Sequence, residues 1–131
     1  MKMSLLYFLV IGLYCSNYRV CSQETIENYP DISGIWESGG IYGTVFQFKD
    51  SIYYSFISGG STWNGRGKYI GKDKFKIHQV TRSENGCKKT EEHYFTIIEK
   101  DLLINTWVFN ESKCGVTKGQ KGSNNLRRVD K

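Results

Sequence analysis

Asp31-Ile32-Ser33-Gly34-Ile35-Trp36, taken together with Leu126-Arg127-Arg128-Val129 near the far end of the chain, decides the fold. In a small barrel the first and last strands are neighbours, because closure removes the two exposed sheet edges. A tryptophan opening the first strand then lies within reach of an arginine on the last. A guanidinium over an indole face contributes roughly 0.5–2 kcal/mol and shields the ring from water. Gly34, two residues earlier, lets the backbone pass closely under that ring. Arg127 and Arg128 alternate in facing, so only one can cover Trp36, and the sequence does not say which. The competing reading is an ordinary core tryptophan beside a tight turn.

Between these two ends the chain reads as strands and turns. Trp36 opens a short strand that breaks at Ser38-Gly39-Gly40. Ile41–Phe48, Ile52–Ile57, Trp63–Ile70, Lys74–Thr81, Thr90–Ile98, Leu102–Phe109 and Asn125–Val129 follow, giving eight. The dipeptides Lys49-Asp50, Lys72-Asp73 and Lys100-Asp101 recur as tight turns between strands two and three, four and five, six and seven. Alternate connections of a meander lie at one end, so these three turns close the same end. Most of the connections at the other end are longer: 38–40, 58–62, 82–89 and 110–124. The fold expected is all-β, an eight-stranded antiparallel up-and-down barrel with meander topology.

Composition agrees. Nine Tyr, seven Phe, three Trp and 14 Gly with a single Pro favour strands and turns over helices. Residues 1–22 read as a signal peptide: Lys2 gives a positive start, Met3–Leu13 an apolar run short for a span, and Val20-Cys21-Ser22 small residues before a cut. A cut near Cys15 is the other option. With no later apolar segment of spanning length, the expectation is a secreted chain without a transmembrane segment, residues 23–131 forming a single barrel domain.

Removing the leader takes Lys2 and Arg19 from the 18 basic residues, leaving 16 against 13 acidic and a net charge of +3. That mild excess, densest at Lys113, Lys118, Lys121, Arg127 and Arg128, is too sparse for a nucleic-acid face, so no nucleic-acid partner is expected. Processing after Ser22 leaves Cys87 and Cys114, an even pair for an oxidising compartment. Both fall in connections at the same end, which makes a disulfide reachable. It would contribute about 3 kcal/mol by constraining the unfolded chain. Two cysteines without a CxxC or a histidine pair do not suggest a metal, and no cofactor motif is present.

The G-x-W motif with a C-terminal arginine resembles the calycin superfamily of lipocalins, fatty-acid-binding proteins, avidins and small barrel protease inhibitors. The opening from Gly34 to Ile57, and Leu102-Leu103-Ile104-Asn105-Thr106-Trp107, are similar in spacing to avidins, where that second strand brings a tryptophan to the ligand. The resemblance implies a barrel with a ligand site at its mouth. Avidins hold the polar head of biotin with asparagine, serine and tyrosine near the first turn and third strand. The matching positions here are Ser38, Gly40 and Phe56, and a second family tryptophan expected near Val80 is absent. The biotin-binding set is thus incomplete.

Only two histidines occur, His78 and His93. Glu91 shares the strand face of His93 and Glu92 does not. Without a nucleophile elbow, phosphate loop, zinc spacing or arguable carboxylate pair, the chain reads as a non-enzyme, and His93 as a solvated or hydrogen-bonded strand residue. Trp63 and Trp107 either line a cavity or fill a solid barrel, since eight strands are just wide enough to be packed. If a cavity exists, Tyr53, Tyr69, Asn105 and Ser38 are its expected polar partners.

In Leu102–Phe109 both alternating faces are apolar, Leu102, Ile104 and Val108 against Leu103, Trp107 and Phe109, and the preceding strand sets Phe95 and Ile97 against Tyr94 and Ile98. Such strands leave an outer apolar patch, which a homo-oligomer would cover. Two functions fit. One is a secreted barrel binding a small apolar or aromatic molecule at its mouth. The other is a secreted protein-binding barrel, an inhibitor or host-interaction factor, using the long basic loop 110–124.

Overall fold

The structure is a computed structural model and describes residues 28–129. The expected leader, residues 1–22, lies outside them. Eight strands follow in chain order: β1 Gly34–Ser38, β2 Ile41–Phe48, β3 Ser51–Ser58, β4 Ser61–Gly71, β5 Lys74–Arg82, β6 Lys88–Glu99, β7 Leu102–Phe109 and β8 Lys121–Arg128. Each pairs antiparallel with its neighbours in sequence, and β1 pairs with β8, so the sheet is a closed meander barrel. The main departure from the sequence reading is β8, which starts at Lys121 instead of Asn125. Its first residues, Lys121-Gly122-Ser123-Asn124, carry no apolar signal. They are held by the ladder to β7, from Val108↔Lys121 to Leu102↔Arg127. Tertiary pairing decides there, not propensity.

Closure is made where the two terminal segments meet. Trp36 pairs with Arg128, and the Arg128 guanidinium lies 5.0 Å from the centre of the Trp36 ring. Arg127 pairs with Glu37 and points to solvent, so Arg128 is the covering residue. The indole N–H donates to Ile32 O at 2.9 Å, and Arg128 Nη2 donates to Asp31 O at 2.8 Å. Trp36 is completely buried. Gly34 has φ 143°, a region closed to residues with a side chain, and this bends the described residues before β1, 28–33, a lead-in to the barrel, under the ring.

The three Lys-Asp turns close one end, as the meander requires. Fully buried Ile32, Trp36, Ile52, Phe75, Ile77 and Leu103 fill the barrel's interior above them. The described part of the lead-in packs here too: Tyr29 stacks on Tyr69 with ring centres 4.3 Å apart, and Tyr69 Oη donates to Pro30 O at 2.7 Å. Burial, then the nearby Asp31 charge, pushes the Tyr69 phenol up to about 12, so it remains a donor through the physiological range.

The opposite end carries the connections 39–40, 59–60, 83–87 and 110–120. Cys87 and Cys114 join the last two in a disulfide with Cα atoms 5.8 Å apart. On the exterior, Tyr94, Ile98 and Ile104 are exposed, with Val108 half-buried, so β7 takes the register with Trp107 inward. A second apolar area, which the sequence reading passed over, lies on β1–β3: Ile35, Phe46, Phe48 and Tyr53 are all exposed, Phe46 directly opposite Tyr53.

Candidate ligand site at the barrel mouth

The inward faces of the strands change character half-way along. Towards the Lys-Asp end β5 presents Phe75 and Ile77, β6 Phe95, β7 Leu103 and β8 Leu126, all buried. Towards the mouth the same faces carry Gln79 and Thr81, His93 and Glu91, Asn105, and Asn124. Above that transition the barrel is hollow. A cavity of about 290 Å³ is walled by Phe56, Trp63, Phe95, Trp107 and Phe109 on its apolar sides. This volume sits at the small end of ligand sites, which run from about 300 to 1,000 Å³.

Two glycines make room for the walls. A Cβ at Gly43 would lie 2.2 Å from the Phe56 ring, and one at Gly122 would lie 2.2 Å from Cζ2 of Trp107. Trp107 therefore lies flat on β8, and its indole faces His93 with ring centres 5.8 Å apart.

The polar side of the cavity is one continuous chain of hydrogen bonds. Tyr54 Oη donates to Gln79 Oε1, and Gln79 Nε2 donates to Glu91 Oε2 at 2.9 Å. Thr81 Oγ1 donates to Glu91 Oε1 at 3.0 Å. His93 Nε2 lies 2.9 Å from Glu91 Oε2 and His93 Nδ1 3.1 Å from Asn105 Oδ1. Both ring nitrogens are thus engaged by neighbouring side chains. Asn105 Nδ2 donates to Asn124 Oδ1 at 2.9 Å, and Asn124 Nδ2 to Ser38 Oγ at 2.6 Å. The chain ties together β3, β5, β6, β7, β8 and β1. A satisfied network of this kind rigidifies its surroundings, whereas any unpaired member would be costly at this burial.

Electrostatics follow from the donors around Glu91, which is only 4% exposed. Burial alone would raise its carboxyl. The hydrogen bond and charge of His93, the Thr81 hydroxyl and the Lys89 charge outweigh that and hold it below the usual carboxylate range. Glu91 is thus an anion in the cavity wall. Burial, then the charge of Glu91, pushes the Tyr54 phenol well up and keeps it a donor. Lys89 reaches over the rim: its ammonium is 3.6 Å from Glu91 Oε1 and 4.4 Å from the centre of the Phe109 ring.

Ser38, Trp63, Asn105 and Trp107, named from sequence as ligand-binding, all line this cavity. Two other expected partners do not. Tyr53 is 50% exposed on the barrel's outer face, because Tyr54 is the inward residue at that point of β3. Tyr69 points inward but belongs to the packed end, where the lead-in caps it. Tyr54, Gln79, Thr81, Lys89, Glu91, His93 and Asn124 were not singled out as ligand-binding residues. The signal available was polar residues at alternate positions, Gln79-x-Thr81 and Glu91-x-His93, on faces otherwise apolar.

Both nitrogens of His93 are engaged, by Glu91 and Asn105, and the Thr81 hydroxyl is hydrogen-bonded to Glu91. Among the described residues no group of three His, Cys, Asp or Glu side chains could hold a metal ion, and no helix is long and apolar enough to cross a membrane.

Comparison with models of protein families, with curated proteins and with solved structures finds no match. The closed barrel of eight consecutive antiparallel strands is consistent with a calycin-like fold, and that likeness rests on architecture and on the Trp36–Arg128 closure alone.

Proposed function

We propose that this protein is an exported, non-enzymatic barrel that holds one small molecule with an apolar or aromatic body in the cavity at its mouth. The observation that carries the reading is the hollow itself: three aromatic side chains, Trp63, Trp107 and Phe109, stand around open space at the mouth. The rigid polar chain beside them gives a ligand a fixed surface to orient against.

The neutral fluorophore N-phenyl-1-naphthylamine tests this. It should bind one to one with a dissociation constant in the micromolar range, and Trp107→Ala should weaken it about tenfold by removing one wall. No saturable binding, or binding that ignores both Trp107→Ala and Trp63→Ala, would sink the proposal.

One observation favours a second reading, a protein partner at the mouth. The connection 110–120 exposes Lys113 and Lys118 and is held in shape by the disulfide and by the Lys113↔Val116 bridge. A loop ordered in advance loses little entropy on docking.

Self-association belongs to the same proposal. The outward residues Tyr94, Ile98 and Ile104 offer a two-fold contact. Light scattering should find a dimer or tetramer that Ile104→Lys turns into a folded monomer, and a wild type monomeric at high concentration refutes it.

A further inference from the structure

The hydrogen-bonding groups around the cavity are unequally spent, and the imbalance has a sign. Glu91 Oε2 accepts from Gln79 and His93, and Oε1 accepts from Thr81 while facing Lys89. The one carboxylate of the cavity is therefore provided for without any ligand. What remains unspent are donors. The Lys89 ammonium, whose side chain is 15% exposed, stands 3.6 Å from Glu91, beyond hydrogen-bond reach, and makes no hydrogen bond among the described residues. Its other neighbour is the face of Phe109, which attracts the charge but accepts no conventional hydrogen bond. The indole N–H groups of Trp63 and Trp107 also have no hydrogen-bond partner among the described residues. Ser38 accepts from Asn124, so its hydroxyl hydrogen is free to donate into the same space.

Lys89 is ion-paired with Glu91 at 3.6 Å but makes no hydrogen bond to it, so the ammonium keeps its donor capacity for a ligand. A cationic ligand would meet that ammonium at the rim, beside a carboxylate that already accepts three hydrogen bonds. An anionic ligand would give Lys89 the acceptor it lacks, through a charge-assisted bond in a desolvated setting, the strongest kind of hydrogen bond available here.

We infer that the ligand is a small organic acid: a planar apolar body seated between the aromatic walls, with a carboxylate at the rim on Lys89. The cavity's size favours a ring system of one or two rings over a long chain. This inference rests on the proposed function, whose cavity it uses, and adds the charge of the ligand to it.

Isothermal titration with three probes of one shape separates the two readings: 2-naphthoate, 2-naphthamide and 2-naphthylmethylammonium. The acid should bind about tenfold or more tightly than the amide, and the ammonium more weakly than either. Lys89→Met should bring the acid-to-amide ratio to about one, and Lys89→Arg should restore the preference, with far-ultraviolet circular dichroism confirming that each is folded. Amide binding with no preference for the acid, or with a preference for the ammonium, overturns the inference and leaves the cavity reading standing. Binding of none of the three overturns both. Because the wild-type ratio is decisive by itself, a misfolded Lys89 variant does not rescue the idea.

Discussion

Trp36→Ala should destabilise the barrel by about 3–5 kcal/mol, the range for truncating a large buried aromatic. Three losses combine. The indole is fully buried at the packed end, so its removal forfeits its contacts and leaves a void between β1 and the lead-in. Its N–H holds Ile32 O, and Ile32 is itself a core residue 1% exposed, so the lead-in loses its anchor. Arg128 loses the ring beneath its guanidinium, while its bond to Asp31 O would remain. Arg128→Met keeps the stem and should cost less, roughly 1–2 kcal/mol for the cation–π contact and one hydrogen bond. Urea unfolding followed by circular dichroism measures both. The cavity lies at the opposite end, so the folded fraction of Trp36→Ala should still bind the neutral fluorophore. A variant that unfolds at the wild-type urea concentration would remove Trp36 from its closing role.

Why the closed end was legible from sequence, and the site less so, has a physical basis. Trp36, the Lys-Asp turns and the apolar strand cores are local or periodic signals. A turn dipeptide is fixed by nearby backbone geometry, and an inward face repeats every second residue. The disulfide was legible for the same reason, since counting alternate connections places Cys87 and Cys114 at one end. The polar chain is different. Gln79, Glu91, Asn105 and Asn124 come together across four strands, and no spacing along the sequence encodes that. His93 was read with Glu91 on its face, correctly, but the surrounding polar residues read as ordinary strand positions. They form a site only because each occupies the same height on the inward face of its own strand.

Tyr53 shows how finely such a reading is balanced. Tyr53 and Tyr54 are adjacent, equally aromatic and equally able to donate. A one-residue choice of register sends one into the network and the other to solvent. The inward set of β3 is Ile52, Tyr54 and Phe56, a purely apolar-and-aromatic run. Its outward set, Tyr53 and Ile57 with Ser55 between, differs by a single serine. Pairing of Val45 with Tyr54 settles it, because Val45 is the inward residue of β2.

Removing the Cys87–Cys114 bridge, as Cys87→Ser with Cys114→Ser, should lower stability by about 3–4 kcal/mol in the chain-entropy model. The bridge spans 27 residues of sequence, so its loss frees a long loop in the unfolded chain. In the native state it contributes little packing, because the loops it joins lie outside the strand ladders. The native barrel should accordingly persist. Lys89 is placed by the β5–β6 ladder, where Thr81↔Lys89 and Arg82↔Lys88 are paired, and Phe109 by β7, so neither depends on the bridge for its position. Binding of the neutral fluorophore should stay within a few-fold of wild type while the urea midpoint falls. The two effects together identify an unfolded-state constraint. An unchanged midpoint would show that the bridge does not restrict the denatured chain, and two free thiols in the oxidised wild type would show that it does not form. Lost binding with a retained midpoint would instead assign the bridge to holding the mouth open, a native-state role that the strand ladders argue against.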